Sequence, residues 1–253
     1  VAAAVKLKRH TGRRHAGRFL VEGPNLVAAA RRAGLVHEVF ATSEAVRRHA
    51  SVVAGHPVQM ITDGAAKALS ETVTPTGLVA VCGIPTHDLD TILAGSPDLI
   101  AVAVDLAEPG NAGTLIRTAH AMGAAAVVFA GSTVDPYNGK CLRASAGSIF
   151  AIPVLTDPDV PATIERLRRS GLQTLATTVD AEISLDDADT LLASPTAWIF
   201  GAEAHGLSPQ IADAADHRIA VPMSATAESL NVAAAAAICL YQSARSRRLG
   251  ESL

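Results

Sequence analysis

The chain has 253 residues, of which 18% are charged and 3% aromatic, and a formal net charge of −3. That length buries a full core in one or two domains, and a composition dominated by small aliphatic residues excludes a disordered chain and fits a folded, soluble α/β protein. The longest apolar run, Val232 to Tyr241, is shorter than the ~20 residues that span a bilayer, and the basic N-terminus lacks the apolar core of a signal peptide.

In chain order, Lys6, Lys8, Arg9, Arg13, Arg14 and Arg18 all precede the first acidic residue, Glu22. Such a cluster meets a polyanion, and a solvated tail explains it as well. Phe19 to Val21 reads as a strand, Glu22 to Asn25 as a turn and Leu26 to Ala33 as a helix stopped by Gly34. Val36 to Ala41 is a second strand, Ser43 to Ala50 a helix, Val58 to Ile61 a third strand, Asp63 to Leu69 a helix and Leu78 to Cys82 a closing strand. These form a small α/β unit over residues 1–82, and 83–98, with Pro85, Pro97 and small polar residues, reads as a linker.

A second unit, 99–253, opens with Leu99 to Val104, an unbroken apolar run suited to a buried parallel strand. A loop from Asp105 to Asn111, a helix from Ala112 to Met122 and a strand at Ala126 to Ala130 complete a β-α-β unit. Further strands are predicted at Ile152 to Leu155, Leu172 to Thr177, Ala197 to Phe200 and Arg218 to Val221, with helices at Val160 to Ser170, Ser208 to Ala214 and Ser229 to Arg247. Strands alternating with helices predict an open parallel sheet covered on both faces. Cys82, Cys141 and Cys239 are odd in number and far apart, which suggests neither disulfides nor a zinc site and fits a reducing cytoplasm. The nine histidines show no metal-ligand spacing, and no metal is expected.

Ligands of parallel sheets bind beyond the carboxyl ends of the strands, and three loops there are rich in glycine and polar groups. In the first, Asn111-x-Gly113-x-x-x-Arg117, Asn111 can cap the helix and Arg117 falls in its second turn. The second is Gly201 to Gly206, which contains Glu203, and the third is Glu228-Ser229-Leu230-Asn231-Val232 at the mouth of the last helix. There is no G-x-G-x-x-G after the strand at Leu99 to Val104, no P-loop and no G-x-S-x-G elbow, which removes the usual warrants for a dinucleotide enzyme, an NTPase or a hydrolase.

Asn111 to Ala119, Ile199 to Glu203, and Val221-Pro222-Met223 leading to Glu228 to Val232 resemble the three ordered motifs of the SpoU (TrmH) family of RNA 2′-O-ribose methyltransferases, in the SPOUT superfamily. The resemblance extends to Arg143 to Phe150 and to Phe19-Leu20-Val21-Glu22-Gly23, which is typical of members that carry a ribosomal-protein-like RNA-binding domain. It implies a small α/β RNA substrate-binding domain followed by a parallel-sheet domain with a C-terminal trefoil knot. It further implies S-adenosylmethionine as cofactor, held at Thr178, Gly201, Val221 and Leu230, and methyl transfer to structured RNA, ribosomal RNA in preference to tRNA. Arg117, Asn111, Glu203, Ser229 and Asn231 are the implied catalytic residues, and Lys6, Lys8, Arg9, Arg13, Arg14, Arg18 and Arg143 the candidate RNA-binding ones. Ala202, Ala204 and Ser224-Ala225 depart from residues common in the family, which bears on loop conformation because glycine reaches backbone angles that alanine resists. A homodimer built on the last helix is expected, with Ala233 to Ala237 allowing close approach and Val232, Ile238 and Leu240 buried against the partner. Two other classes fit the residues less fully: a non-catalytic RNA-binding protein that keeps the fold, and a small-molecule α/β enzyme.

Overall fold

Buried aliphatic strands build two sheets, one of four strands and one of seven. In the computed structural model, which describes residues 1–250, the chain begins with α1 (Ala2–Val5), a 3-10 turn at Lys6–Lys8, α2 (His10–Ala16), β1 (Arg18–Glu22), α3 (Pro24–Arg32) and β2 (Val36–Ala41). It continues through α4 (Ser43–Arg48), α5 (Ala50–Val53), β3 (Val58–Met60), α6 (Asp63–Leu69), β4 (Leu78–Gly83), α7 (Leu89–Ala94), β5 (Leu99–Val104), α8 (Pro109–Ala121) and β6 (Ala126–Ala130). There follow α9 (Gly139–Ser145), β7 (Val154–Asp157), α10 (Val160–Arg169), β8 (Gln173–Thr177), β9 (Ile183–Ser184), α11 (Asp189–Leu192), β10 (Thr196–Phe200), α12 (Pro209–Ala214), β11 (His217–Ala220) and α13 (Val232–Gly250). These elements form two compact units. The first joins Val1–Thr86 to Asp135–Ala151, and the second joins His87–Val134 to the residues from Ile152 onward.

In the first unit the strand order is β1-β4-β2-β3, with β4 antiparallel to both β1 and β2. The basic N-terminal stretch is not a tail but folded helix: Ala4 and Leu7 are buried in one cluster with Phe40, Leu69, Val79 and Val81. Gly12 makes this possible, because a Cβ there would stand 2.0 Å from the Lys6 carbonyl oxygen. Arg13 is buried, and its guanidinium pairs with Asp135 at 2.6 Å and donates to the Leu7 and Lys8 carbonyls at 3.0 Å. Tyr137 and Phe150 pack on Phe19, with ring centroids 4.8 and 6.2 Å away. The segment from Asp135 to Ala151 is therefore part of this unit's core, although in sequence it lies between two strands of the other.

The second unit is a sheet of order β7-β6-β5-β10-β8-β11-β9, with every pairing parallel. All residues of β5, β6 and β10 are buried, as an unbroken aliphatic run requires when both faces are covered. Ile100, Val102 and Val104 face α7 and α10 through Leu89, Leu93, Ile164 and Leu167. The stretch read as a linker thus contributes a helix to the core. Residues alternate faces along a strand, so Trp198 points to the other side, where its Nε1 donates to Ser243 Oγ of α13 at 2.8 Å. Asp189 of α11 accepts from Gln242 and Ser246 of the same helix at 2.7 and 3.0 Å.

Two helix starts differ from expectation. Helix α8 begins at Pro109, with Glu108 as its cap, so Asn111 lies inside the first turn and Arg117 in the third. The last helix begins at Val232, three residues beyond Ser229. Among the described residues no helix is long and apolar enough to cross a membrane, and no cluster of three potential ligands could hold a metal ion.

Candidate active site

The seven-stranded sheet reverses its strand order between β5 and β10, and the loops after its strands open there at the carboxyl edge. A cleft of about 580 Å³ lies over the ends of β8, β10 and β11. Its lining includes Thr178, Gly201, Val221 and Leu230, which are all four residues expected to hold a cofactor, and also Glu203 and Ser229.

The loop after β10 is shaped by its own backbone. Ala202 and Gly206 form an antiparallel bridge, each N–H donating to the other's carbonyl, at 3.2 and 2.9 Å. The loop folds back so tightly that a Cβ on Gly201 would lie 2.1 Å from the Gly206 carbonyl carbon. Only glycine fits at the end of β10, and the turn carries Glu203 toward α8.

There Glu203 Oε1 accepts from Asn111 Nδ2 at 3.0 Å and from the Glu108 backbone N–H at 3.1 Å. With its amide nitrogen on the carboxylate, Asn111 presents Oδ1 to Asn231, whose Nδ2 donates at 3.0 Å. Asn231 Oδ1 is then left to accept the Ala233 and Ala234 N–H groups at 3.0 and 3.3 Å, the cap of α13. One carboxylate thereby fixes the orientation of two amides and of a helix start. Burial by itself raises the Glu203 carboxyl, but donation from Asn111 and from backbone N–H groups, Glu108 and Ala107 among them, outweighs it and holds the group below the usual carboxylate range.

Ser229 is exposed in the loop before α13 and lines the cleft. Arg117 is exposed on α8, makes no hydrogen bond or ion pair among the described residues and is absent from the cleft lining. Helical geometry puts it ~9 Å along the axis from Asn111 and ~120° around it, so the two do not share a face.

The cleft fits S-adenosylmethionine on two observations. The Thr178 hydroxyl is buried without a hydrogen-bond partner, and Val179 and Leu230 stand 69% and 39% exposed in the lining, as apolar walls awaiting a ligand do.

Comparison with known proteins decides the family. Residues 98–241 match the SpoU rRNA Methylase family, and residues 1–80 match the MRM3-like substrate binding domain. The chain belongs to the SpoU rRNA Methylase family. It is 35% identical, over 93% of its own length and 92% of the relative's, to the 23S rRNA (guanosine(2553)-2'-O)-methyltransferase RlmP of Bacillus subtilis (strain 168). The SpoU methyltransferase AviRb from Streptomyces viridochromogenes, solved in complex with the cofactor AdoMet, superimposes with a TM-score of 0.85 at 29% identity, covering 97% of this chain and 96% of that one. A second solved structure, of an RNA 2'-O ribose methyltransferase, gives a TM-score of 0.83 at 31% identity over 98% of this chain and 95% of that chain.

Within this SpoU chain the departures at Ala202, Ala204 and Ser224-Ala225 carry no strain, since the non-glycine residues with positive φ are Ser96, Asp105 and Ala146. The candidate RNA-binding residues divide. Lys6, Arg9 and Arg14 are exposed and make no ion pair among the described residues, and Arg18 is exposed beside Glu38 at 3.7 Å. Lys8 ties its own unit together by donating to the Ala68 and Ser70 carbonyls, and Arg143 lies 3.9 Å from Glu71. Arg13 is corrected: buried against Asp135, it offers nothing to a phosphate, and only the fold could reveal this, because the partner is 122 residues away. Sequence reasoning also missed Glu108, whose carboxylate accepts from the Gly110 N–H at the start of α8; a Glu just before Pro-Gly was the available signal.

Proposed function

We propose that the protein transfers a methyl group to a ribose 2′-hydroxyl of ribosomal RNA in the cytoplasm, working as a homodimer. The observation that carries this reading is the convergence of Thr178, Gly201, Val221 and Leu230 on one cleft at the carboxyl edge of the sheet. Bound S-adenosylmethionine would supply an electrophilic methyl group on a sulfonium. The RlmP relative, which matches along nearly its whole length, is named for 23S rRNA, and this favours ribosomal RNA over tRNA. The reading includes a knotted C-terminal segment, in keeping with the place of β10 between β5 and the earlier β8.

Charge supports different tasks for the two units. The first holds thirteen Lys and Arg against six Asp and Glu, the second eight against eighteen, for net charges of +7 and −10. RNA is drawn to the first unit, while phosphates are repelled from the second unless a specific cation receives them. Arg117 is that cation. A guanidinium stays protonated, so it does not serve as the base. It binds the phosphate beside the target ribose and favours the developing alkoxide. Since Arg117 is exposed and does not line its own cleft, pairing two copies through α13, against which α8 packs, would offer it to the cleft of the other.

The test is methyl transfer from labelled S-adenosylmethionine to purified 23S rRNA and to bulk tRNA, with Arg117→Ala beside wild type. Label in rRNA, lost at least ~100-fold in the variant while cofactor affinity stays within about twofold, is expected. Label in tRNA alone, or near-normal turnover by Arg117→Ala, overturns the reading.

A further inference from the structure

Asp180, Glu203, Glu228 and Arg218 are the side chains lining the cleft that are charged at neutral pH. Two are already committed. Glu203 is held by Asn111 and the start of α8, and Arg218 pairs with Glu182 and Asp213 outside the lining. Asp180 lies within electrostatic reach of Arg218 but forms no hydrogen bond or ion pair among the described residues, and Glu228 forms none either. Glu228 adjoins Ser229 and Leu230 in the segment that walls the cleft, and the buried, unpartnered Thr178 hydroxyl marks the same space as built for a ligand.

We infer that the Glu228 carboxylate, with Asp180, reads the net charge of the adenosyl ligand. This rests on the cofactor assignment above. Methyl transfer forms an O–CH3 bond to the ribose, leaves the S–C bonding pair on sulfur and releases the hydroxyl proton to solvent. The ligand thus passes from S-adenosylmethionine, with one net positive charge, to neutral S-adenosylhomocysteine. A carboxylate about 6 Å away, at an effective dielectric constant of about 40, favours the cation roughly tenfold. The reaction therefore loosens its own product. Glu228 and Asp180 act as specificity residues, separate from those that orient the hydroxyl.

Calorimetric titration of the full chain with S-adenosylmethionine, S-adenosylhomocysteine and sinefungin tests this, since sinefungin replaces the sulfonium by an amine-bearing carbon and stays positive. In Glu228→Gln both positive ligands are expected to weaken about tenfold while S-adenosylhomocysteine changes less than about twofold, and Asp180→Asn shifts the same way by a smaller factor. Raising salt narrows the wild-type preference. Equal losses for all three ligands in a variant with unchanged circular dichroism would make Glu228 a shaping residue and overturn the inference, as would no loss for the positive ligands. Failure of wild type to bind any of the three overturns the cofactor assignment itself.

Discussion

Asn111 joins three elements through one amide: Glu203 after β10, its own helix α8, and Asn231 at the start of α13. Since the chain closes on Glu203, a carboxylate held below the usual range, its contribution is fully present above the unfolded value and is lost as pH falls through the lower folded one. The melting-temperature difference between wild type and Glu203→Gln is expected to be constant near neutrality and to close as pH falls below the ordinary carboxylate range. A difference that widens in acid would contradict the network. Gly201 makes a second test. Its missing Cβ leaves 2.1 Å of room, so Gly201→Ala must displace the loop backbone, and cofactor affinity measured by calorimetry should fall at least about tenfold. An unchanged affinity would show that the loop tolerates the shift. At this scale the sequence made the polar motifs visible by residue type, but not who meets whom: Asn111 and Glu203 are 92 residues apart. Arg13 misled for the opposite reason, because a cation on a short N-terminal segment reads as exposed and here closes a core.

At the level of elements, β2, β5, β6 and α6 carry the boundaries expected of them, since apolar runs and cap residues bracket them in the sequence. The short helices α1, α2, α7, α9 and α11 escaped notice, being two turns or less and too short to show a period. Helix α13 shows what pattern alone leaves open. Its alanines read as a face for a partner helix, whereas Ala233, Ala236 and Leu240 are buried within the chain, and the large apolar residues it exposes are Ile238, Tyr241 and Leu249. Ala236→Glu would therefore bury an unpaired charge and unfold the protein. Ile238→Glu is the informative change: sedimentation should show a dimer in wild type and a folded monomer with impaired methyl transfer in the variant. A monomeric wild type at micromolar concentration, or a fully active monomeric variant, excludes the proposed dimer.

Over the whole molecule, two α/β halves and the sign of the N-terminal charge were legible in the sequence. That Asp135–Ala151 belongs with the first unit was not, because nothing local distinguishes a crossover loop from a segment that leaves its sheet. Deleting residues 1–82 strips the covering from Tyr137, Cys141, Leu142 and Ile149, all buried. At roughly 1.5–3 kcal/mol per large side chain, the loss rivals a typical net stability of about 5–15 kcal/mol. The truncated protein is expected to aggregate or to bind a dye for exposed apolar surface, and a well-behaved, cooperatively melting fragment would show that 135–151 finds other cover. Arg13→Ala tests the same packing with less damage: breaking the buried pair with Asp135 should cost about 3–5 kcal/mol in chemical denaturation.

The chain passes between the two units three times, after Thr86, after Val134 and after Ala151. On the ribosome the first unit must wait for about 65 further residues before Tyr137 and Phe150 arrive to cover Phe19, a delay of roughly 3–13 s at about 5–20 residues per second. The same routing restricts recombination. A gene exchange with a single breakpoint near residue 86 would import a foreign N-terminal portion but keep the native 135–151 segment, and the hybrid core would have to accept both.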